Sequence, residues 1–573
     1  MLTHFEYSRP FALKYLRPAL AIFILCLFSC KNTNKSVKTN NTHSSSFMTY
    51  KEATNTLTQH EKVGQFFMPA AYANDSEKQI KELENLIKTY NIGALCFFHS
   101  RQSTATNFEK GTTVFHNNES LEKLKSLIKR YQKAAKHPLL IAIDAEWGLA
   151  MRIENTPQYP YAITLGAIQG NPNLIYEVGK NIAKDCKEAG IHWNLAPVVD
   201  INSNPKNPVI GYRSFGENKY SVLNKAIAYL EGIESVGILT SVKHFPGHGD
   251  TATDSHLDLP LISKSKEELI DNELFPFQKL INRGMDAIMV GHLSVPALAN
   301  GKDSPSSISK EIINNFLRVE MGFEGVVISD ALNMRSVSKK YPVPGELEWL
   351  AFNAGNDFLC FAENTKSGIE TIIKNSSKEQ IEKSFERIWK IKHKAFNIMK
   401  DTSSQVYSEE ELNTKIAEET LTFVKGTIPD INLMRNQGFI GIEISKNTNN
   451  EFFLSISSDK EFKKFSTSKS AIPELETALI NESNILISLF PPQIKPKNNF
   501  GLSKEIIDFI EELSATKQVI LYVFGNPYVL NSIETKNMKA VVLAYQDFKV
   551  FQENASKHFL GRAKAKGKLP VTL

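Results

Sequence analysis

This 573-residue chain lacks a large excess of either charge: 67 lysines and arginines face 62 aspartates and glutamates, for a formal net charge of +5. No basic block interleaved with aromatics occurs, so nothing recommends nucleic acid as a partner. Cysteine is scarce, with five in all, and Cys96, Cys186 and Cys360 stand at unrelated spacings. That excludes a disulfide framework or a zinc ribbon. No apolar run is long enough to span a bilayer, which takes about 20 residues. Nor does a G-x-G-x-x-G follow the first strand pattern, which argues against a dinucleotide-binding sheet.

At the N-terminus, Lys14 and Arg17 precede "ALAIFILCLFS", which ends at Cys30. This has the layout of a secretory signal. "LFSC" at 27–30 further resembles a bacterial lipobox, whose cysteine becomes the acylated first residue, with Phe28 bulkier than that motif usually carries. An ordinary cleaved signal is the alternative. Residues 31–50, nearly free of apolar side chains at first ("KNTNKSVKTNNTHSSS"), read as a solvated tether. The expectation is an exported protein, lipid-anchored through Cys30 to a bacterial membrane on its periplasmic or cell-surface side.

Further on, short apolar runs recur at 92–98, 139–146, 191–200, 238–245, 286–293, 325–332 and 356–361, separated by stretches of helical spacing such as 174–190 and 308–322. Runs that are apolar throughout suit strands covered on both faces, hence a parallel sheet with crossover helices. Seven or eight such units predict an α/β fold, a (β/α)8-type TIM barrel over 51–400. A linker at 401–411 leads to a smaller α/β sandwich domain at 412–573, with a helix over 412–424 and strands at "GFIGIEIS", "NILISLF", "QVILYVFG" and "AVVLAY". Polar residues collect where barrel enzymes place their sites, at strand C-terminal ends: Asp144, Glu146, Asp200, Lys243, His244, His292 and Asp330.

"SVKHFPGHGDTATDSHLDLP" (241–260) is the densest stretch of titratable groups. His244, His248, His256, Asp250 and Asp254 include metal-ligand types, but Pro246, Gly247 and Gly249 preclude a helical zinc motif. In "DSH", residues two apart project to one side, so Asp254 can orient His256 as a proton donor and acceptor. A solvated surface pair is the bland alternative. Asp330, after five uncharged residues, needs partners or a task. It is either a reactive carboxylate or the N-cap of the following helix.

Taken together, "KHFPGHGDTATDSHLDLP", "GVVISDALNM", "LTQHEKVGQFFM", "IAIDAEWGLAMR" and "LAPVVDINSNPKNPVIGYRSFG" resemble glycoside hydrolase family 3, in its β-N-acetylglucosaminidase branch. "VFGNPYVL" and "AKAKGKLPVTL" look like that family's second domain. The resemblance implies Asp330 as nucleophile and the Asp254–His256 pair as general acid/base. It places Asp144, Arg152, Arg213, Lys243 and His244 around the −1 sugar, and gives His292 a lining role at most. It implies a retaining exo-hydrolase of terminal β-linked N-acetylglucosamine in peptidoglycan fragments or chitooligosaccharides. No cofactor and no metal are expected, and the oligomeric state is left open, a monomer being the expectation. Because a neutral imidazole does not repel an anion, phosphate is a conceivable acceptor. A glucosidase or xylosidase, and a lipid-anchored glycan-binding protein without turnover, are the competing readings. Where the family commonly has two glycines after the strand-two glutamate, this chain has Trp147 and Gly148, an indole with the bulk to narrow or restack the sugar pocket, which leaves fine specificity open.

Overall fold

The computed structural model describes residues 47–101, 119–170, 172–252, 258–397, 407–447, 450–467 and 472–573. The leader with Cys30, the tether up to residue 46, and the segment 253–257 that contains Asp254 and His256 lie outside the described residues. No helix among those described is long and apolar enough to cross a membrane.

The fold is α/β with parallel sheets. In the first part of the chain the strands are β1 (Phe67–Met68), β2 (Ala70–Tyr72), β3 (Ala94–Phe98), β4 (Leu140–Ile143), β5 (Trp193–Asn194), β6 (Leu239–Thr240), β7 (Val242–Phe245), β8 (Ala287–Val290), β9 (Val326–Ser329) and β10 (Leu359–Cys360). They pair in the orders β2-β3-β4-β5-β6, β7-β8-β9 and β1-β10, every pair parallel. Further backbone bonds carry the ladder between these groups: Lys243 N–H donates to Pro197 O over 3.3 Å and Val199 N–H to Lys243 O over 2.8 Å, while Ser329 N–H donates to Phe358 O over 3.0 Å and Phe358 N–H to Val327 O over 3.1 Å. The side chains of β3, β4, β8 and β9 are buried throughout, as expected of strands with helices on one face and a core on the other.

The apolar runs read from the sequence all contain strands. In this part of the chain one strand segment escaped that reading, "FMPAAY" at 67–72, because Pro69 interrupts it and proline is a poor strand residue. Pro69 sits at the break between β1 and β2, where its missing N–H costs no ladder bond, and its carbonyl accepts from Cys96 N–H at 3.1 Å.

The later strands are β11 (Thr422–Lys425), β12 (Ile440–Ile444), β13 (Lys463–Thr467), β14 (Asn484–Leu489), β15 (Gln518–Val523) and β16 (Ala540–Leu543). They form one six-stranded sheet in the order β11-β16-β15-β14-β12-β13, parallel except for β11 against β16. One expectation needs correction here. The helix expected over 412–424 is Glu409–Thr420, so it begins inside the expected linker, after the Ser408–Glu411 capping box, and stops before β11. Thr422, Phe423 and Val424 favour an extended chain, and Thr422 and Phe423 pair with Leu543 and Val542 of β16. Strand β13, "KKFST", gave no apolar signal because it is a largely exposed edge strand.

Candidate active site

A cavity of about 550 Å³ lies at the C-terminal ends of β2, β3, β4, β5, β8, β9 and β10, beside Lys243 and His244 of β7. Asp144, Arg152, Arg213, Lys243, His244 and Asp330 all line it. Residues separated by up to 186 positions thus share one cleft, because parallel strands point all their C-terminal ends the same way.

Its floor is a buried charge network. Lys243 Nζ lies 2.7 Å from Asp144 Oδ1 and 2.8 Å from Glu146 Oε1. Arg152 Nη2 donates to Asp144 Oδ2 at 2.7 Å, and its guanidinium lies over the Phe98 ring. Arg213 grips Glu146 with both branches of its fork, at 2.9 Å through Nε and 2.7 Å through Nη2. Burial alone would raise the Asp144 carboxyl, but the Lys243 and Arg152 charges reverse this and hold it well below the usual carboxylate range. Glu146 is likewise pushed up by burial and brought down to about 2 by Arg213 and Lys243. Burial works against the charge on Lys243 and on Arg213, and their carboxylate partners outweigh it, so both stay protonated.

His244 is oriented from behind. Its Nδ1–H donates to buried Asp200 at 2.7 Å, which leaves Nε2 to accept from Arg213 Nη2 at 3.4 Å. Asp200 also accepts the backbone N–H groups of His244 and His248, the latter at 2.7 Å. His248 pairs its Nδ1 with the Thr251 hydroxyl at 2.7 Å, and burial depresses its pKa to about 4, so it is neutral at physiological pH. Asp250 is paired with Lys264 at 2.9 Å. Among the described residues no group of three or more His, Cys, Asp or Glu side chains is arranged to hold a metal ion.

Asp330 follows β9 directly. Its N–H continues the ladder to Val290 O at 2.9 Å, and its Oδ1 accepts from Ala331 N–H at 2.8 Å. The capping alternative fails, because the next helix, Arg335–Ser338, has Met334 at its N-cap and no side-chain cap. His292 does not line the cavity. It supports the segment after Asp330 instead: Nε2–H donates to Ala331 O at 2.9 Å, and Nδ1 accepts from the Ser307 hydroxyl at 2.6 Å.

Trp147 neither narrows nor restacks the pocket. The indole is absent from the cavity lining and is buried against Tyr161 and Tyr212, with ring centroids 4.9 and 5.8 Å away. Gly148, with φ of 102°, makes the turn that sends it there. Sequence reasoning missed a patch of aromatic wall, Tyr72, Phe98 and Phe361, whose centroids lie 5.3 to 6.2 Å apart. A ring wall suits the apolar face of a sugar. Single aromatics in strands look like core, so no sequence signal separated them.

Residues 58–391 match the glycosyl hydrolase family 3 N-terminal domain. The chain is 36% identical over 297 residues to beta-hexosaminidase A of Pseudoalteromonas piscicida, covering 48% of this chain and 46% of that protein. It is 35% identical over 269 residues to a beta-hexosaminidase of Tolumonas auensis, covering 46% and 78% respectively. It therefore spans just under half the length of the first relative. Among solved structures, a family 3 beta-N-acetylglucosaminidase from Paenibacillus sp. strain FPU-7 superposes with a TM-score of 0.73 at 25% identity, covering 90% of this chain and 99% of that one.

Proposed function

The chain belongs to glycosyl hydrolase family 3, and from that premise we propose that it is a retaining exo-β-N-acetylglucosaminidase. The observation that carries the reading is the Asp330 carboxylate at the end of β9, lining one cavity with Asp144, Arg152, Arg213, Lys243 and His244. An oxygen of Asp330 attacks the anomeric carbon as the glycosidic C–O bond breaks, and His256, oriented by Asp254, gives its proton to the leaving oxygen. Water, deprotonated by His256, then displaces Asp330 and restores the configuration. The Asp144, Lys243 and Arg213 groups hold the sugar hydroxyls. Their charges are already fixed by one another, so they need little reorganisation when substrate arrives.

In this reading β1 and β2 are one interrupted strand and β6 and β7 another, so that β1 to β10 make up the eight strands of one (β/α)8 barrel over 51–400, and 412–573 is a second α/β domain. The names of the relatives support N-acetylhexosamine as the released sugar. An exported, Cys30-anchored protein would meet cell-wall fragments first and chitooligosaccharides second. Replacement of Cys30 by serine should then move the protein out of the membrane fraction.

Release of p-nitrophenol from its β-N-acetylglucosaminide by the purified protein, Asp330→Asn and His256→Ala, with and without phosphate, tests the chemistry. Turnover that drops by about 1,000-fold or more in Asp330→Asn supports it. An increase with phosphate would change the acceptor from water to phosphate. A folded protein inactive on this substrate, or active on the β-glucoside instead, would reject the reading.

A further inference from the structure

The later sheet of the chain contributes no side chain to the lining of the cavity, yet it contacts the segments that bear Arg213, which lines the cavity, and Glu146, which pairs with Arg213. Asn202, two residues beyond Asp200, donates from Nδ2 to the Tyr528 hydroxyl at 2.8 Å. Tyr528 lies in the turn Pro527–Ser532 that follows β15. The same Asn202 amide accepts, through Oδ1, the N–H of Gly211 at 3.1 Å. Gly211 opens the single helical turn Gly211–Arg213, which delivers the Arg213 guanidinium to Glu146. A continuous run of bonds therefore leads from the Tyr528 hydroxyl to the backbone of Arg213. Asn202 and Gly211 are buried, and burial pushes the Tyr528 hydroxyl up to about 12, so it stays protonated.

A second set of contacts reaches the same ion pair. Tyr212 precedes Arg213, Trp147 follows Glu146, and both rings meet Tyr161, each with centroids 4.9 Å away. Trp147 and Tyr212 belong to the apolar core of the later sheet, together with Tyr528, Val529, Tyr545 and Val571. The chain end closes on this region as well: Glu217 N–H donates to Pro570 O at 3.1 Å, and a Cβ on Gly216 would come within 2.5 Å of that oxygen. Both members of the Arg213–Glu146 pair are thus flanked by residues seated on the later sheet.

We propose that this sheet sets the position of Arg213 for sugar binding, with Tyr528 as a positioning residue acting through Asn202. The inference rests on the cavity being the −1 sugar site. Tyr528→Phe keeps the ring and its packing but removes the hydroxyl, leaving the Asn202 Nδ2–H groups without that acceptor.

The test is a double-mutant cycle of Tyr528→Phe with Arg213→Gln on the β-N-acetylglucosaminide, beside amide hydrogen exchange over 209–214. Tyr528→Phe should raise KM by about tenfold with kcat within about twofold, the scale and pattern of one buried hydrogen bond lost from uniform binding. It should have no further effect in Arg213→Gln, and exchange over 209–214 should speed up. Additive losses, or unchanged exchange in that segment, would overturn the proposal. A parent protein with no turnover would reject the proposed function instead, and the exchange measurement would still decide whether Tyr528 braces Arg213.

Discussion

Replacing Lys243 by methionine gives the sharpest test of how the charge network is held. The ammonium bridges Asp144 and Glu146 at 2.7 and 2.8 Å, so methionine leaves two carboxylates facing each other across the same cavity floor. Each keeps one arginine, Arg152 for Asp144 and Arg213 for Glu146. The cost at pH 7 should therefore lie at the lower end of the range for breaking a buried pair, about 3 kcal/mol. The pH dependence is more diagnostic. Glu146 is depressed from 4.5 to about 2, so its contribution is fully present above pH 4.5 and is lost as pH falls through about 2. That depression corresponds to about 3 kcal/mol at 1.36 kcal/mol per unit. Without Lys243 the carboxylates move back up, and the variant should lose less stability than the parent between pH 4.5 and 2. The assay is urea unfolding followed by tryptophan fluorescence at several pH values in that window. Parallel stability curves, offset by a constant amount, would refute the idea that Lys243 lowers these carboxylates.

Three further outcomes follow from particular contacts. Gly249→Ala would place a Cβ 1.7 Å from the Ile201 carbonyl oxygen, so the variant should unfold at least 10 °C lower or be insoluble, as thermal melting will show. Trp147→Ala should cost about 3–5 kcal/mol through the void it leaves under Tyr161 and Tyr212, measured by denaturant titration, while its preference between N-acetylglucosaminide and glucoside stays as in the parent. Burial brings Lys392 down to about 7 from 10.5, so the unfolded chain binds more protons between those values and the parent should gain stability as pH rises through them. In Lys392→Met that gain should disappear, although the bond to Gln65 Oε1 at 2.6 Å is lost with the charge.

Much of this molecule is local in origin. The runs "LLIAIDAE", "DAIMVGHL" and "GVVISDAL" announce buried parallel strands because every residue of such a strand meets either a helix or the core. Their polar terminal residues announce the site, since a charged group ending an apolar strand has no other place to go than the rim. Asp144, Lys243, His244 and Asp330 were legible for that reason, whereas Arg152 and Arg213, which stand at the ends of single helical turns, came only from the family resemblance, which the match over 58–391 bears out. What the sequence left undecided depends on partners far along the chain. Trp147 has the bulk to fill a sugar pocket, and its direction is set by the Gly148 turn and by Tyr161 and Tyr212. His292 stands at a strand end like the others, but Ser307 and the Ala331 carbonyl take both its nitrogens. Tyr528 carries no motif, and it matters only because folding brings it to Asn202, 326 residues away. Sequence patterning determined which residues are strand, core and rim, because those depend on near neighbours and on burial. Tertiary structure decided which rim groups pair and which aromatic rings face the cavity, because a hydrogen bond or an ion pair exists only between groups that the whole fold brings within about 3 Å.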